Sequence, residues 1–216
     1  MKTKLTFLFL LISSYSIAQD LPDLKAYSKD IGFNTNFLLN GVLSAYGSPF
    51  DIMLKKQKTS NQANRFGLEV YTDISTDAYS GSTSYYQYDN YSLSISFGKE
   101  KQHQLSKRWI FYYGGDVAPF YKFYGQDYYS TNTLQNKNKD QDFGLRLSPF
   151  LGIRFQINDR LYVATEALLR ISYSRKEISS KSYDSNGVMY AESSNAFNNF
   201  RLQPSPATGI SIFYRF

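Results

Sequence analysis

The chain has 216 residues, a formal charge of +6 and no cysteine. Without cysteine it has no disulfide framework, no thiolate metal site and no cysteine nucleophile. The basic excess is weak and dispersed, which argues against a nucleic-acid partner. The chain contains 20 Tyr and 17 Phe, which is unusual for a soluble core, since tyrosine favours boundaries between apolar and wet surroundings.

The N-terminal residues have the order of a secretory signal peptide. Lys2 and Lys4 precede a short apolar run at 5–12, and small residues up to Ala18 offer a cleavage site. An apolar run of about eight residues is too short to span a bilayer. We therefore predict a signal peptide at 1–18, a periplasmic lead-in at 19–30 and one β-barrel domain at 31–216.

The first half of the remaining chain alternates apolar and polar residues with period two, which predicts extended strands with one apolar face and one polar face. The most regular alternation places Tyr91, Leu93, Ile95 and Phe97 between serines. Strands are predicted at 31–43, 49–57, 65–75 and 91–99. The polar stretches 58–64 and 100–108 are predicted as chain reversals, and the Ser/Tyr-rich segment 76–90 as a long loop.

The second half continues the same pattern. Strands are predicted at 109–124, 143–157, 161–174 and 206–216. Residues 158–160 are predicted as a tight turn, and 125–142 and 175–198 as long polar loops. The second of these loops contains a turn signal at 184–187, Asp-Ser-Asn-Gly, which is compatible with a hairpin extension.

The last predicted strand carries a row of large apolar residues on one parity, namely Ile210, Ile212, Tyr214 and Phe216. A closing strand of this kind suits a transmembrane barrel, which puts an apolar row into lipid and aromatic residues at the interface. The chain supplies about eight strands of about nine to fifteen residues, with short and long connections in alternation. The sequence therefore predicts an all-β fold, an eight-stranded antiparallel up-and-down transmembrane β-barrel.

Charged residues share a parity opposite the Leu/Ile rows of the strands at 143–157 and 161–174. A basic residue facing lipid near the midplane would cost about 2–4 kcal/mol, so we predict that this parity faces the interior. An eight-stranded barrel is just wide enough for side chains to fill, which predicts a plugged lumen. The predicted lumen charge network is Glu69, Asp73, Asp116, Arg146, Arg154, Glu166 and Arg170, with Asp51 as a further partner. A selectivity or proton path along these charges is the alternative interpretation.

No catalytic, cofactor-binding or metal-binding residue is predicted, and we expect no enzyme. The single histidine, His103, falls in a predicted turn, so a Ser–His or Asp–His arrangement lacks its base. The segment 184–187 lacks the continuation and closing Glu of a calcium loop. Tyrosines of the predicted loops are either an aromatic girdle or a contact surface, the candidates being Tyr85, Tyr86, Tyr88, Tyr128 and Tyr129.

The mature chain resembles the small outer-membrane β-barrel proteins of a porin-like family of Bacteroidota type. The resemblance rests on the cleavage region 16–20, on the segment 148–155 (SPFLGIRF) and on the C-terminal strand that ends in Phe216. It implies export to the outer membrane of a Gram-negative cell envelope and contact with outer-membrane lipid and lipopolysaccharide. It also implies that the barrel-assembly machinery recognises the C-terminal strand.

Three functions agree with the sequence. The first is a structural or interaction barrel that presents Tyr/Asn-rich loops to an unknown extracellular or envelope partner. The second is a narrow channel or small-molecule transport porin, and the third is a soluble secreted lipocalin-like binding barrel with an apolar interior. Planar-bilayer conductance separates the first two functions, and detergent dependence separates both from the third.

Overall fold

The computed structural model describes residues 29–35, 50–78, 83–205 and 209–216. The strands are β1 (Lys29–Asn34), β2 (Phe50–Thr59), β3 (Gln62–Ala78), β4 (Tyr85–Gln104), β5 (Trp109–Ser130), β6 (Thr133–Gln156), β7 (Leu161–Tyr183), β8 (Met189–Ser205) and β9 (Ser211–Arg215). The described ranges hold no helix that is long and apolar enough to cross a membrane. The predicted signal peptide, most of the predicted lead-in and residues 36–43 of the predicted first strand lie outside the described residues. Those assignments stay predictions.

The strands form one antiparallel sheet that closes on itself. Its order is β6-β5-β4-β3-β2-β1-β9-β7-β8, and β7 also pairs with β6. β8 pairs with β7 from Leu168 upward, whereas β9 pairs with the same strand at Leu161 to Ala164. β8 and β9 therefore share one position in the ring, so the nine strands of the described residues fill eight positions. The predicted all-β, eight-stranded antiparallel barrel is confirmed.

The ring closes where β1 meets β9. Asp30 lies opposite Arg215 and Phe33 lies opposite Ile212. At the end of this seam the backbone N–H of Phe216 donates to the carbonyl of Lys29 at 2.9 Å. The predicted closing strand therefore pairs with β1, and within its described residues the regular strand is β9, Ser211–Arg215.

The two faces of the sheet differ sharply in polarity. On the outer face Ile95, Leu147 and Leu151 are exposed by 44%, 46% and 55%, although all three are large and apolar. On the inner face Glu100 and Arg154 are almost completely shielded from solvent, at 1% and 0%. The structure thus gives the parity that the sequence predicts, with Leu/Ile rows outside and ionic rows inside.

Aromatic residues border the outer apolar surface at both ends. Near one end lie Trp109 and Phe155, whose rings are 4.8 Å apart, and Tyr214. Near the other end Tyr91 lies opposite Phe123, and Tyr173 lies opposite Phe200. On β6 the apolar face runs from Phe143 to Phe155, about 30 Å along the barrel axis at ~3.3 Å per residue and a tilt of ~40°. We call this surface the apolar band, and the two borders its lower and upper rims.

Short turns join the strands below the lower rim. The predicted tight turn at 158–160 is confirmed, because the side-chain oxygen of Asn158 accepts hydrogen bonds from the backbone N–H groups of Arg160 and Leu161 at 2.9 and 2.8 Å. The predicted reversals at 58–64 and 100–108 are too long. β2 runs to Thr59, β3 starts at Gln62, and β4 continues to Gln104.

Beyond the upper rim the structure corrects the prediction of three long loops. β3 pairs with β4 up to Ala78 and Tyr85, β5 with β6 up to Ser130 and Thr133, and β7 with β8 up to Tyr183. Pairing of β4 with β5 and of β6 with β7 joins these hairpins into one sheet, which we call the hairpin wall. The alternation of apolar and polar side chains stops here, although the hydrogen-bonded pairing of the backbones continues. Strand pairing alone does not require an apolar face.

Two different turns end the hairpins of β5–β6 and β7–β8. Thr131 and Asn132 both have positive φ, 52° and 61°, as a two-residue type I′ turn requires. In the other, Asp184 accepts hydrogen bonds from the N–H groups of Asn186 and Val188 at 2.9 and 2.8 Å, and Gly187 has a φ of 78°. The turn predicted at 184–187 is therefore confirmed.

Candidate functional site

Aromatic side chains fill the barrel interior near the lower rim. The buried cluster contains Tyr112, Phe150, Tyr162, Ala164 and Phe213. The rings of Tyr162 and Phe213 stack at 4.8 Å with an angle of 8° between their planes. These bulky groups project from strands whose neighbours carry inward glycines, which supply the space that the rings occupy.

A network of charges, which we call the charged plug, lies against this cluster. Its centre is Arg65, whose two terminal nitrogens each bond one oxygen of Glu166 at 3.0 Å. Arg65 also reaches Asp116 at 3.3 Å and Glu100 at 3.4 Å. Glu100 in turn accepts from Lys55 at 2.7 Å. A bidentate arginine–carboxylate pair with further partners holds these groups in a fixed geometry.

Cation–ring contacts join the charged plug to the aromatic cluster. The guanidinium of Arg65 lies 3.8 Å from the centre of the Phe150 ring. The ammonium of Lys55 lies 4.5 Å from the ring centre of Phe213. Such contacts are stronger in the absence of water. Charges and rings together close the interior at this level.

Two further arginines lie below the charged plug. Arg215 donates to Asp30 at 3.0 Å, and the hydroxyl of Tyr162 donates to the same carboxylate at 2.8 Å. Arg154 lies over the Tyr162 ring at 4.6 Å. None of its three side-chain nitrogens has a hydrogen-bond partner among the described residues. Arg154 is thus inside the barrel, as predicted, but the predicted pairing with a carboxylate is not seen within the described part.

The remaining predicted charges lie above the charged plug. Arg146 donates to Glu69 at 3.0 Å and to the hydroxyl of Ser94 at 3.1 Å. Arg170 lines the same cavity without a described ion-pair partner. Asp73 differs from the prediction, because it is exposed on the hairpin wall and accepts from Tyr71 at 3.3 Å instead of joining the described ion pairs.

Several charges of the interior were not predicted as site residues. They are Asp30, Lys55, Arg65, Glu100 and Arg215. Glu100 was assigned to a turn because the alternation of large apolar residues stops at Phe97. Its parity is nevertheless that of Ser94, Ser96 and Gly98, and extending this parity by one step would have placed it inside.

A cavity of about 160 Å³ opens above the charged plug. Asp51, Glu69, Arg146 and Arg170 contribute charges of both signs to its lining, and serines supply hydroxyl groups. A second space of about 50 Å³ continues upward beside Lys122 and is also lined by Arg146 and Arg170. The described part of the interior is therefore filled near the lower rim and contains polar cavities above it.

The predicted Tyr surface lies on strands of the hairpin wall and is divided between its faces. Tyr86, Tyr88 and Tyr128 share the parity of the barrel interior, whereas Tyr85 and Tyr129 share that of the apolar band. Ring centres are 4.8 Å apart for Tyr86 and Tyr128 on the inner face, and 4.7 Å apart for Tyr85 and Tyr129 on the outer face. The five residues therefore do not form a single contact surface.

Ion pairs cover the outer face of the hairpin wall. Asp127 pairs with Lys137 at 2.6 Å, and Lys181 pairs with Glu192 at 2.9 Å. The hydrogen bond to Asp127 raises the pKa of Lys137 above its ordinary value. The outer surface thus changes from apolar to charged just above the upper rim.

The single histidine of the chain does not face the barrel interior. His103 is exposed on the lower part of β4, on the outward parity. Within the described residues, no three His, Cys, Asp or Glu side chains are placed to hold a metal ion.

Comparison with known proteins gives a likeness to solved structures and none to a family or a curated protein. No protein-family model matches the chain, and no curated protein matches it. A solved structure, that of Acinetobacter baumannii CarO2, aligns with 92% of this chain and 100% of its own length, at 10% identity and a TM-score of 0.37. A likeness at this level supports no statement about what the chain does. The assignment to a family of Bacteroidota type has no support among these matches and stays a prediction.

Proposed function

We propose that this chain is an outer-membrane β-barrel that is embedded in lipid through its apolar band. The observation that carries the proposal is the outer surface of large, exposed apolar side chains that the described strands present between two aromatic rims. A monomeric soluble protein rarely exposes a contiguous apolar patch above a few hundred Å². The height of the apolar band, about 30 Å, is close to the hydrocarbon thickness of a bilayer.

Within this proposal, the short turns face the periplasm and the hairpin wall faces the outside. Short periplasmic turns and longer extracellular connections are the usual asymmetry of such barrels. The apolar band then contacts outer-membrane lipid and lipopolysaccharide. The exposed row of Ile210, Ile212, Tyr214 and Phe216 is the feature that barrel-assembly machinery would recognise.

We further propose a non-catalytic structural or interaction role, in which the hairpin wall meets an extracellular or envelope partner. The charged plug supports this role over transport, because its ion pairs and rings occupy the lumen of a narrow barrel. The cavity above the plug, which charged and hydroxyl side chains line, favours the second candidate, a narrow channel. The lipocalin-like alternative lacks support, since its cavity would be lined by the Leu/Ile rows that face outward here.

Gel mobility of the outer-membrane fraction tests the membrane proposal. A folded barrel resists detergent at room temperature, so the unheated protein should migrate differently from the boiled protein. Recovery of the protein in the soluble periplasmic or secreted fraction would contradict the proposal.

Planar-bilayer recording separates the two roles. The interaction role predicts no steady ion current from the reconstituted wild-type barrel. A steady, reproducible unitary current would instead establish the narrow channel.

A further inference from the structure

The inner face of the hairpin wall is chemically unlike both the lumen below it and the outer face behind it. The row nearest the tip contains Tyr86, Tyr128, Asn136 and Ser182 on neighbouring strands. The next row contains Tyr88, Gln126, Asn138 and Ser180. Both rows are uncharged from β4 to β7, whereas the outer face of the same strands carries ion pairs such as Asp127–Lys137. A difference between two faces that meet the same solvent points to a function of the inner face.

The tyrosines of these rows form a connected aromatic platform. Tyr86 is 4.8 Å from Tyr128 and 6.1 Å from Tyr88, between ring centres. Tyr124, one row lower, is 6.4 Å from Tyr88. Cross-strand aromatic pairs hold their rings in place and lower the entropy cost of binding. The platform is therefore preorganised rather than a set of mobile side chains.

Amide groups lie beside the platform in fixed positions. The side-chain nitrogen of Gln126 donates to the Tyr88 hydroxyl at 3.4 Å. Ser180 donates to the amide oxygen of Asn138 at 2.7 Å, and Ser182 donates to that of Asn136 at 2.9 Å. Each serine hydroxyl occupies one of the two acceptor positions of its asparagine oxygen, so each asparagine offers a ligand its NH₂ group and one acceptor position.

Carboxylates border the platform on β3. Asp77 lies directly opposite Tyr86, and Asp73 lies opposite Asn90 two rows lower. They accept hydrogen bonds from hydroxyl groups and repel anions. The whole surface thus combines flat rings, amide groups that donate hydrogen bonds and carboxylates that accept them from hydroxyl groups. Its upper two rows contain no basic group.

We infer that this inner face binds an uncharged glycan. Sugar rings present C–H groups that pack on aromatic faces, and their hydroxyl groups match amide donors and carboxylate acceptors. The upper two rows offer no cation to a sulfated or uronate-rich polymer. Lys176, two rows below Asn138 on the same face, is engaged by Asp140 at 2.7 Å, so charge complementarity disfavours such polymers. The inference rests on the proposed function, since it takes the hairpin wall to be the extracellular part of a membrane barrel.

Affinity measurements on the full chain, folded in detergent micelles, test the inference. Calorimetric titration would use maltoheptaose and cellohexaose as uncharged probes, and tetragalacturonate and a heparin hexasaccharide as anionic probes. We expect at least one uncharged probe to bind, and both anionic probes to bind at least tenfold more weakly. Failure of both uncharged probes, or equal binding of an anionic probe, would overturn the inference.

Matched variants locate the binding surface. The double variant Tyr86→Ala/Tyr128→Ala removes a stacked pair from the inner face, and we expect it to lower affinity at least tenfold. Tyr85→Ala/Tyr129→Ala removes an equivalent pair from the outer face and should change affinity less than twofold. Equal loss in both variants would contradict the assignment to the inner face, because it would reflect a weakened hairpin.

Heat-modifiable mobility, recorded for each variant, keeps this test separate from that of the proposed function. A folded barrel that binds no uncharged probe defeats the glycan inference and leaves the membrane barrel intact. Glycan binding by protein that folds and stays soluble without detergent would defeat the membrane barrel instead.

Discussion

At the scale of single residues, the buried ion pairs of the charged plug are the main structural constraint on the barrel interior. Lys55 and Glu100 are both almost fully shielded and 2.7 Å apart, with Arg65 bound to the same carboxylate at 3.4 Å. Removing one partner of a buried pair leaves an uncompensated charge and costs about 3–5 kcal/mol. The pair is therefore a stronger structural constraint than any surface ion pair of the hairpin wall.

We predict that Glu100→Gln lowers the free energy of unfolding by about 3–5 kcal/mol, because Lys55 and Arg65 lose a shared buried carboxylate. Urea titration of the barrel in lipid vesicles measures this change. Glu69→Gln is the control, and we expect a loss of about 1–2 kcal/mol, because Glu69 is 29% exposed and partners only Arg146 among the described ion pairs. Equal losses would mean that the plug is not the main ionic constraint.

Sequence reasoning identified the inward parity of Arg146, Arg154, Glu166 and Arg170 but not which charges meet. The partners of Arg65 lie on β4, β5 and β7, and closure of the ring brings them together across the lumen. Period-two alternation carries information about the face of a residue but none about contacts across a barrel. Asp73 has the inward parity that was predicted, but it lies on the hairpin wall above the lumen. Parity alone does not give the height of a residue along the barrel.

At the scale of elements, the closing strand combines an outward apolar row with an inward anchor. Phe213, on the opposite parity from that row, is 2% exposed and stacks on Tyr162. Phe216 shares the strand's outward face and is 55% exposed. Phe213 therefore packs inside the barrel, whereas Phe216 is available for contacts outside it.

Phe213→Ala should destabilise the folded barrel by about 3–5 kcal/mol, because it removes a buried ring from the aromatic cluster. Phe216→Ala should cost much less in the same urea titration. In cells, however, Phe216→Ala should reduce the amount of assembled barrel if the assembly machinery reads this outward row. A greater loss of folded stability from Phe216→Ala than from Phe213→Ala would contradict this division.

The turn between β5 and β6 contains a local conflict. Thr131 has a φ of 52°, although a β-branched residue disfavours positive φ. Asparagine tolerates this region better, so Thr131→Asn should relieve strain of about 1 kcal/mol. We expect amide exchange at Ser130 and Thr133 to slow by a few fold, with exchange in the β7–β8 hairpin as the internal control. Faster amide exchange at the β5–β6 tip in the Thr131→Asn variant would contradict the strain assigned to Thr131.

The hairpin wall is the part of the fold that the sequence did not reveal. Residues 125–142 and 175–198 were predicted as loops because their side chains are polar on both parities. The structure continues them as strands, since backbone pairing and cross-strand contacts such as Asp127–Lys137 need no apolar face. The predicted bounds at 109, 157 and 161 lie within one residue of the observed strand ends, because the alternation of apolar and polar side chains continues to those ends.

At the scale of the whole molecule, the apolar band should make charged substitutions on the outer surface destabilising. Leu147 lies near the middle of the band on β6 and is 46% exposed. Leu147→Arg should destabilise the barrel in lipid by about 2–4 kcal/mol, since it places a charge in hydrocarbon. Ser194→Arg, on the charged outer face of the hairpin wall, should change stability by less than about 0.5 kcal/mol. A neutral effect of Leu147→Arg would remove the basis for the membrane proposal.

The most direct test of the account is a set of single-cysteine variants carrying spin labels, since the chain has no cysteine of its own. Leu147→Cys and Leu151→Cys sample the outward parity of β6, and Ser148→Cys samples the inward parity next to them. In lipid vesicles, we predict that dissolved oxygen relaxes the labels at 147 and 151 strongly and the label at 148 weakly. Strong relaxation at 148 together with shielding at 147 and 151 would contradict the account, because the ionic rows would then face the hydrocarbon.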